Sequence, residues 1–134
     1  MTQNREKDPL LRISKGLKRV AARTKKLVPV GVSITGVFPI SDVKTSDYNI
    51  TDDDYTVLVN AASGAININM MSAVDVHENG AGRVFTIKRL NSGANAVTVV
   101  VDGSETIDGS GTYVLSTQYE VVRIQSDGSN WHTI

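Results

Sequence analysis

The sequence predicts an all-β fold, a small antiparallel β-sandwich or barrel of about seven short strands, preceded by a basic N-terminal arm that forms an amphipathic helix. Three observations carry that prediction. From residue 55 onward, short runs rich in Val, Ile, Thr and Tyr recur between turn residues, the pattern of strands in a sandwich or barrel. Ahead of them, residues 10 to 27 repeat apolar side chains at three- and four-residue steps, the period of a helix face. The charge is also sorted by position although it cancels overall. Residues 1 to 28 hold nine Lys and Arg against Glu6 and Asp8, a net of +7, and the rest hold five basic and twelve acidic side chains, a net of −7. Asymmetry of this kind marks an interaction segment.

The predicted organisation is a basic docking arm at 1–28, a short strand with an acidic linker at 29–54, and a β-sandwich oligomerisation module at 55–134. A module of this size buries a modest core, which favours association. The chain has no Cys, so disulfides and thiolate chemistry are excluded. No stretch reaches the roughly 20 apolar residues that span a bilayer, and the first 30 residues lack a signal peptide's apolar core. A soluble protein made in a cytoplasm is expected.

In the arm, Asp8-Pro9 is a helix start: Asp caps free amides, and proline at the first helical position loses no hydrogen bond. Leu10, Ile13, Leu17, Val20, Ala21, Thr24 and Leu27 then share one face, with Arg12, Lys15, Lys18, Arg19, Arg23, Lys25 and Lys26 around it. Pro29 ends the helix at Val28, and Gly16 weakens its middle by about 1 kcal/mol relative to Ala. An apolar stripe with basic steering favours docking onto an acidic protein surface. Packing of the helix on its own acidic domain is the plain structural alternative. Nucleic-acid contact lacks interleaved aromatics for stacking and is expected to carry no sequence preference. Membrane contact lacks the interfacial Trp or Phe.

After Pro29 the period becomes alternating at Val30, Val32 and Ile34, and the polar, acidic stretch 42–54 reads as a linker or exposed loop. Strands are predicted at 55–60, 65–70, 83–90, 96–101, 112–116, 119–125 and 130–134. Between them stand Ser63-Gly64, Asn79-Gly80, Ser92-Gly93, Asp102-Gly103, Asp108-Gly109 and Asp127-Gly128, residues suited to chain reversal. None of these glycines joins a strand to a helix in a phosphate-loop pattern. Val97 to Val101 is apolar on both faces. One face fills the core and the other needs cover from a neighbouring sheet or subunit, which predicts a homo-oligomer.

No catalytic set assembles. His77 and His132 are the only histidines and there is no Gly-x-Ser-x-Gly elbow, so the protein is expected not to be an enzyme and to need no cofactor. Asp75, His77 and Glu78, and the run Asp52-Asp53-Asp54, lack the alternating ligand spacing of a calcium loop and read as solvated loops, with no metal. Glycan binding is the functional rival: it needs exposed aromatic platforms, and in so small a domain much of the aromatic complement goes to the core. Tyr48, in the acidic linker, is the best exposed candidate, and Trp131 and His132 in the last strand are further candidate contacts.

The segment Tyr55-Thr56-Val57-Leu58-Val59-Asn60-Ala61, followed by Ser63-Gly64-Ala65-Ile66, Gly82-Arg83-Val84-Phe85-Thr86-Ile87-Lys88, Asn91-Ser92-Gly93-Ala94-Asn95-Ala96-Val97, Gly103-Ser104-Glu105-Thr106-Ile107-Asp108-Gly109 and Ser126-Asp127-Gly128-Ser129-Asn130-Trp131, resembles the β-rich modules of tail-fibre and other virion surface proteins of tailed bacteriophages. The resemblance implies a non-enzymatic, trimeric structural module. Two features depart from it. Met70-Met71 stands where the related pattern carries Leu-Pro, and the chain stops at Ile134 where fibre proteins continue into a shaft. A short module on a basic arm suits attachment to a shell. The expectation is a homotrimeric capsid decoration (cement) or head-fibre protein on the virion surface, docked on the major capsid protein or another virion protein through Leu10, Arg12, Ile13, Lys15, Leu17, Lys18, Arg19, Arg23, Lys25 and Lys26. A tail-fibre or tail-adaptor component, or a glycan- or receptor-binding module, are the alternatives. No specific nucleic acid and no membrane are expected as partners.

Overall fold

The chain from Phe38 onward winds back and forth between two four-stranded sheets, and the described part of the protein is all-β. The computed structural model describes residues 36 to 134. The arm, its helix and the alternation at Val30, Val32 and Ile34 lie outside the described residues.

Ten short strands form: β1 (Tyr48–Asn49), β2 (Thr56–Val59), β3 (Ile66–Asn69), β4 (His77–Glu78), β5 (Ala81–Gly82), β6 (Val84–Arg89), β7 (Val97–Val100), β8 (Thr112–Leu115), β9 (Val121–Ser126) and β10 (Trp131–Thr133). The seven strands expected from alternation are β2, β3 and β6 to β10. The additional β1, β4 and β5 have two residues each, too few to show a period.

One sheet has the order β1-β3-β7-β8 and the other β10-β9-β6-β2, with β4 and β5 as a separate hairpin. The expected antiparallel arrangement is corrected here to mixed sheets: β1 with β3, β2 with β6, and β3 with β7 are parallel. The reason is the order of crossing. The chain passes from β2 in one sheet to β3 in the other, back to β6, and over again to β7, so each strand returns alongside the one a turn earlier and points the same way. Parallel pairs need a long crossover, and here a strand of the opposite sheet supplies it. An earlier turn of the same winding is visible where Ile40 bridges Thr56 and Lys44 bridges Val59, both in parallel. Within the two four-stranded sheets, β8, β9 and β10 join by antiparallel pairing, as do β4 and β5 in their hairpin.

Alternation places the core between the sheets. Ile66, Ile68, Val97, Val99 and Leu115 face Val57, Val59, Phe85, Ile87, Val122 and Ile124, all buried; each such side chain contributes about 1.5–3 kcal/mol through burial. Trp131 is 0% exposed, its ring tilted 55° against Phe85 at a centroid distance of 5.9 Å. Its indole N–H donates to Glu105 Oε2 at 3.2 Å, and the same carboxylate accepts from Ser72 Oγ at 2.8 Å and from the Ala73 amide. One carboxylate thus ties the loop after β3 to the last strand.

The stretch 42–54, expected as an acidic linker, belongs to the sandwich. It contributes β1 and the buried Ile50, and Asp54 is buried because its Oδ2 accepts from the Tyr48 hydroxyl at 2.8 Å and from the Thr51 amide at 2.9 Å. Arg83 fastens the same turn from β6's start, with Nη2 donating to the carbonyls of Asp52 and Asp54. A buried carboxylate is tolerated only with such partners, and a chain this polar reads as a loop until those partners are known.

Candidate interaction surfaces

The expected docking side chains Leu10, Arg12, Ile13, Lys15, Leu17, Lys18, Arg19, Arg23, Lys25 and Lys26 lie outside the described residues. Of the three expected contacts in the folded unit, Trp131 is corrected: it is wholly buried against Phe85 and Glu105 and presents nothing to a ligand. Tyr48 is half-buried and committed to Asp54; its burial, with the neighbouring carboxylate, pushes the phenol up from its ordinary value. His132 is exposed, with Nε2 2.6 Å from Asp127 Oδ2 and Nδ1 3.7 Å from Asp108 Oδ1. Asp127 is held down to about 2, first by the Asn130 amide, then by His132 and the Ser129 amide. Both ring nitrogens therefore face carboxylates that also fix the surrounding turns.

Asp75, His77, Glu78 and Asp52 meet at one place, an open cleft of about 740 Å³ beside the β4–β5 hairpin, with Met71, Val76 and Ala81 as its apolar lining. The hairpin lies hard on β9 because Gly82 has no side chain: a Cβ there would fall 1.7 Å from the Ser126 carbonyl oxygen. Among the described residues no group of three or more His, Asp or Glu is placed to hold a metal ion. The cleft is an acidic-rimmed depression, with the exposed Val74 on the adjoining loop.

The outward faces of the two sheets differ from the ends. Except for Glu78, every carboxylate of the folded unit lies in a loop. The outer face of the β1-β3-β7-β8 sheet carries no charge: Asn49, Asn69, Val100 and Thr112 form one row and Asn67, Thr98 and Val114 another, with the Asn69 amide donating to Asn49 at 2.8 Å. The outer face of the β10-β9-β6-β2 sheet is apolar and basic. Its rows are Leu58, Lys88 and Val121; Thr56, Thr86 and Arg123; and Val84, Gln125 and His132. Ile40, 64% exposed, stands at the edge beside Thr56.

Tyr119, which strand reading placed at the start of β9, is instead in the left-handed region at φ 65°, a genuine outlier for so bulky a residue. The strand therefore begins two residues later, at Val121. The turn that holds this conformation is fixed by Glu120, whose Oε2 accepts from the amides of Ser116 and Thr117 and from the Thr117 hydroxyl. The Tyr119 ring is left 61% exposed with Lys88 Nζ 5.7 Å from its centroid. Its only sequence signal is the Thr117-Gln118-Tyr119-Glu120 stretch, which carries no turn glycine, so period reading absorbed it into the strand.

These features define a β-sandwich-like module whose chemistry lies in surfaces: an apolar-basic sheet face, an uncharged sheet face and an acidic cleft. No family model and no curated protein matches the chain.

Proposed function

We propose that the protein is a non-enzymatic structural component of a phage virion, a homotrimeric capsid decoration or head-fibre protein whose basic arm attaches it and whose β module self-associates and forms the exposed surface. The observation that carries this reading is the charge sorting, +7 in residues 1 to 28 against −7 in the remainder, with residues 38 to 134 forming a compact unit of their own. That sorting supports separate parts of the chain for attachment and for the exposed surface. Three arms on one trimer multiply a weak single-arm affinity through effective concentration. Of the contacts on which glycan recognition would rest, Trp131 is spent in the core and Tyr48 on Asp54, which weakens that reading, while Tyr119 and Phe38 stay exposed.

The test is co-sedimentation with capsids, comparing the full chain with one lacking residues 1 to 28, alongside native mass for both. Binding by the full chain alone, with equal masses, is the expected result. Retained capsid binding by the shortened chain transfers the contact to the β module and favours the tail-fibre or receptor reading.

A further inference from the structure

From the surfaces of the folded unit we infer that copies of this chain associate, the apolar-basic end of one sheet face docking into the acidic cleft of another copy. The inference deepens the self-association in the proposed function and names the surfaces that perform it.

The two surfaces lie at opposite ends of the same strand pair. Arg83, immediately before β6, lines the cleft; Lys88, near the end of β6, lies over Tyr119. Five residues of strand separate them by about 17 Å. Each copy carries both halves of the contact, so the contacts close as a reciprocal pair or a ring, or run on as a filament.

Their chemistry is complementary. The donor end presents the Tyr119 ring, Val121, Lys88 and Arg123; the carboxylate beside them, Glu120, is turned to the Ser116 and Thr117 amides. The other basic groups of the folded unit are committed elsewhere: Lys44 pairs with Asp42 at 3.0 Å, Arg83 binds backbone carbonyls and Arg89 is buried. Lys88 and Arg123 have no ion-pair partner among the described residues. The acceptor cleft is lined by Met71, Val76 and Ala81 together with Asp52, Asp75 and Glu78, and the Arg83 in its lining is held by the carbonyls of Asp52 and Asp54. An exposed Tyr flanked by Arg is the composition of an interface anchor, and a left-handed Tyr held in place by three hydrogen bonds to Glu120 is strain kept for a purpose. A second copy is the occupant that brings the matching opposite charge in the same register, since each chain carries both surfaces.

The experiment uses the full chain and charge reversal at the exposed Asp75, Glu78 and Arg123 and the half-buried Lys88. Lys88→Glu with Arg123→Glu makes one variant, Asp75→Lys with Glu78→Lys the other, and native mass and sedimentation velocity read association, with circular dichroism as the check on folding. The unchanged chain is expected to associate. Each folded variant alone is expected to dissociate at least about tenfold more readily, in line with the coupling of close charge pairs. Mixed in equal amounts, the two recover association, because each reversed surface meets its complement on the other variant; in a closed ring of three, one like-charged contact stays and the recovery is partial. Tyr119→Ala weakens association without restoring any mixture. A monomeric unchanged chain, an acidic-cleft variant that associates as the unchanged chain does, or a mixture of monomers overturns the inference. These outcomes are read without any particle, so they stand apart from the capsid test of the arm.

Discussion

Arg89 offers the sharpest test of how the core is built. The alternation of β6 turns residues 85, 87 and 89 inward, so the strand that buries Phe85 and Ile87 must also bury a guanidinium, and Arg89 is only 1% exposed. Its Nη2 donates to the Gly93 carbonyl at 2.7 Å, while Nε and Nη1 are buried without a hydrogen-bond partner among the described residues. Each orphaned donor costs about 1–3 kcal/mol, and the bond from the charged group to Gly93 contributes about 1.5–3 kcal/mol. Arg89→Met keeps an unbranched side chain of similar length and removes the orphans along with the bond. Two penalties outweigh one bond, so the variant is expected to be about 2 kcal/mol more stable, consistent with the gain seen when buried charge is replaced by packed apolar groups. At about 4–8 °C per kcal/mol for a domain of this size, Tm rises by roughly 10 °C. Calorimetry and urea unfolding measure it, with Arg89→Lys as the control that keeps a buried charge and loses stability. A fall in Tm for Arg89→Met refutes the reasoning, because it means that Nε and Nη1 have partners worth more than their burial costs.

Three further outcomes follow from the geometry. Trp131→Ala removes the ring packed on Phe85 and leaves Glu105 without its indole donor; a loss of about 3–5 kcal/mol is expected in urea unfolding, and a loss below 1 kcal/mol contradicts the central place given to Trp131. Gly82→Ala puts a methyl into the Ser126 carbonyl, so the hairpin must lift from β9. The cost is at least about 1–3 kcal/mol, and amide exchange in β4 and β5 should accelerate; unchanged exchange contradicts the close approach. Asp127 falls from an ordinary 3.8 to about 2 in the folded chain. A depressed carboxyl contributes stability that is fully present above its ordinary value and is lost as pH falls through about 2. Asp108 and Glu120 are lowered too, first by Thr133 and by the Thr117 amide, and add to the same acid limb. Asp127→Asn keeps an acceptor for the Ser129 and Asn130 amides but removes the charge, so melting curves between pH 5 and about 2 should flatten relative to the unchanged chain. An unaltered pH profile would count against Asp127 as a source of the acid limb.

How much was legible in the sequence differs by element. β6 shows why strands could be read: Phe85 and Ile87 alternate with Val84 and Thr86, and the period survives into the burial pattern. Stretch 42–54 shows the limit, because Asp54 looks like a solvated loop residue until Tyr48 and Thr51 are brought to it. Trp131 fails in the other direction. It stands three residues from the chain's last residue among polar neighbours, and its burial depends on Phe85 and Glu105, which reach it from 46 and 26 residues away in sequence.

The sequence by itself determined the class of fold, the seven principal strands and the separation of a basic segment from an acidic one, because side-chain alternation, turn chemistry and charge are local properties. Only the tertiary structure decided the direction of strand pairing, the burial of Arg89 and Trp131, the left-handed Tyr119 and the cleft beside β4 and β5. Those depend on which sheet the chain crosses to after each turn. Two strands with the same alternation pair equally well in either direction, and the choice is made by long-range packing that no short window contains.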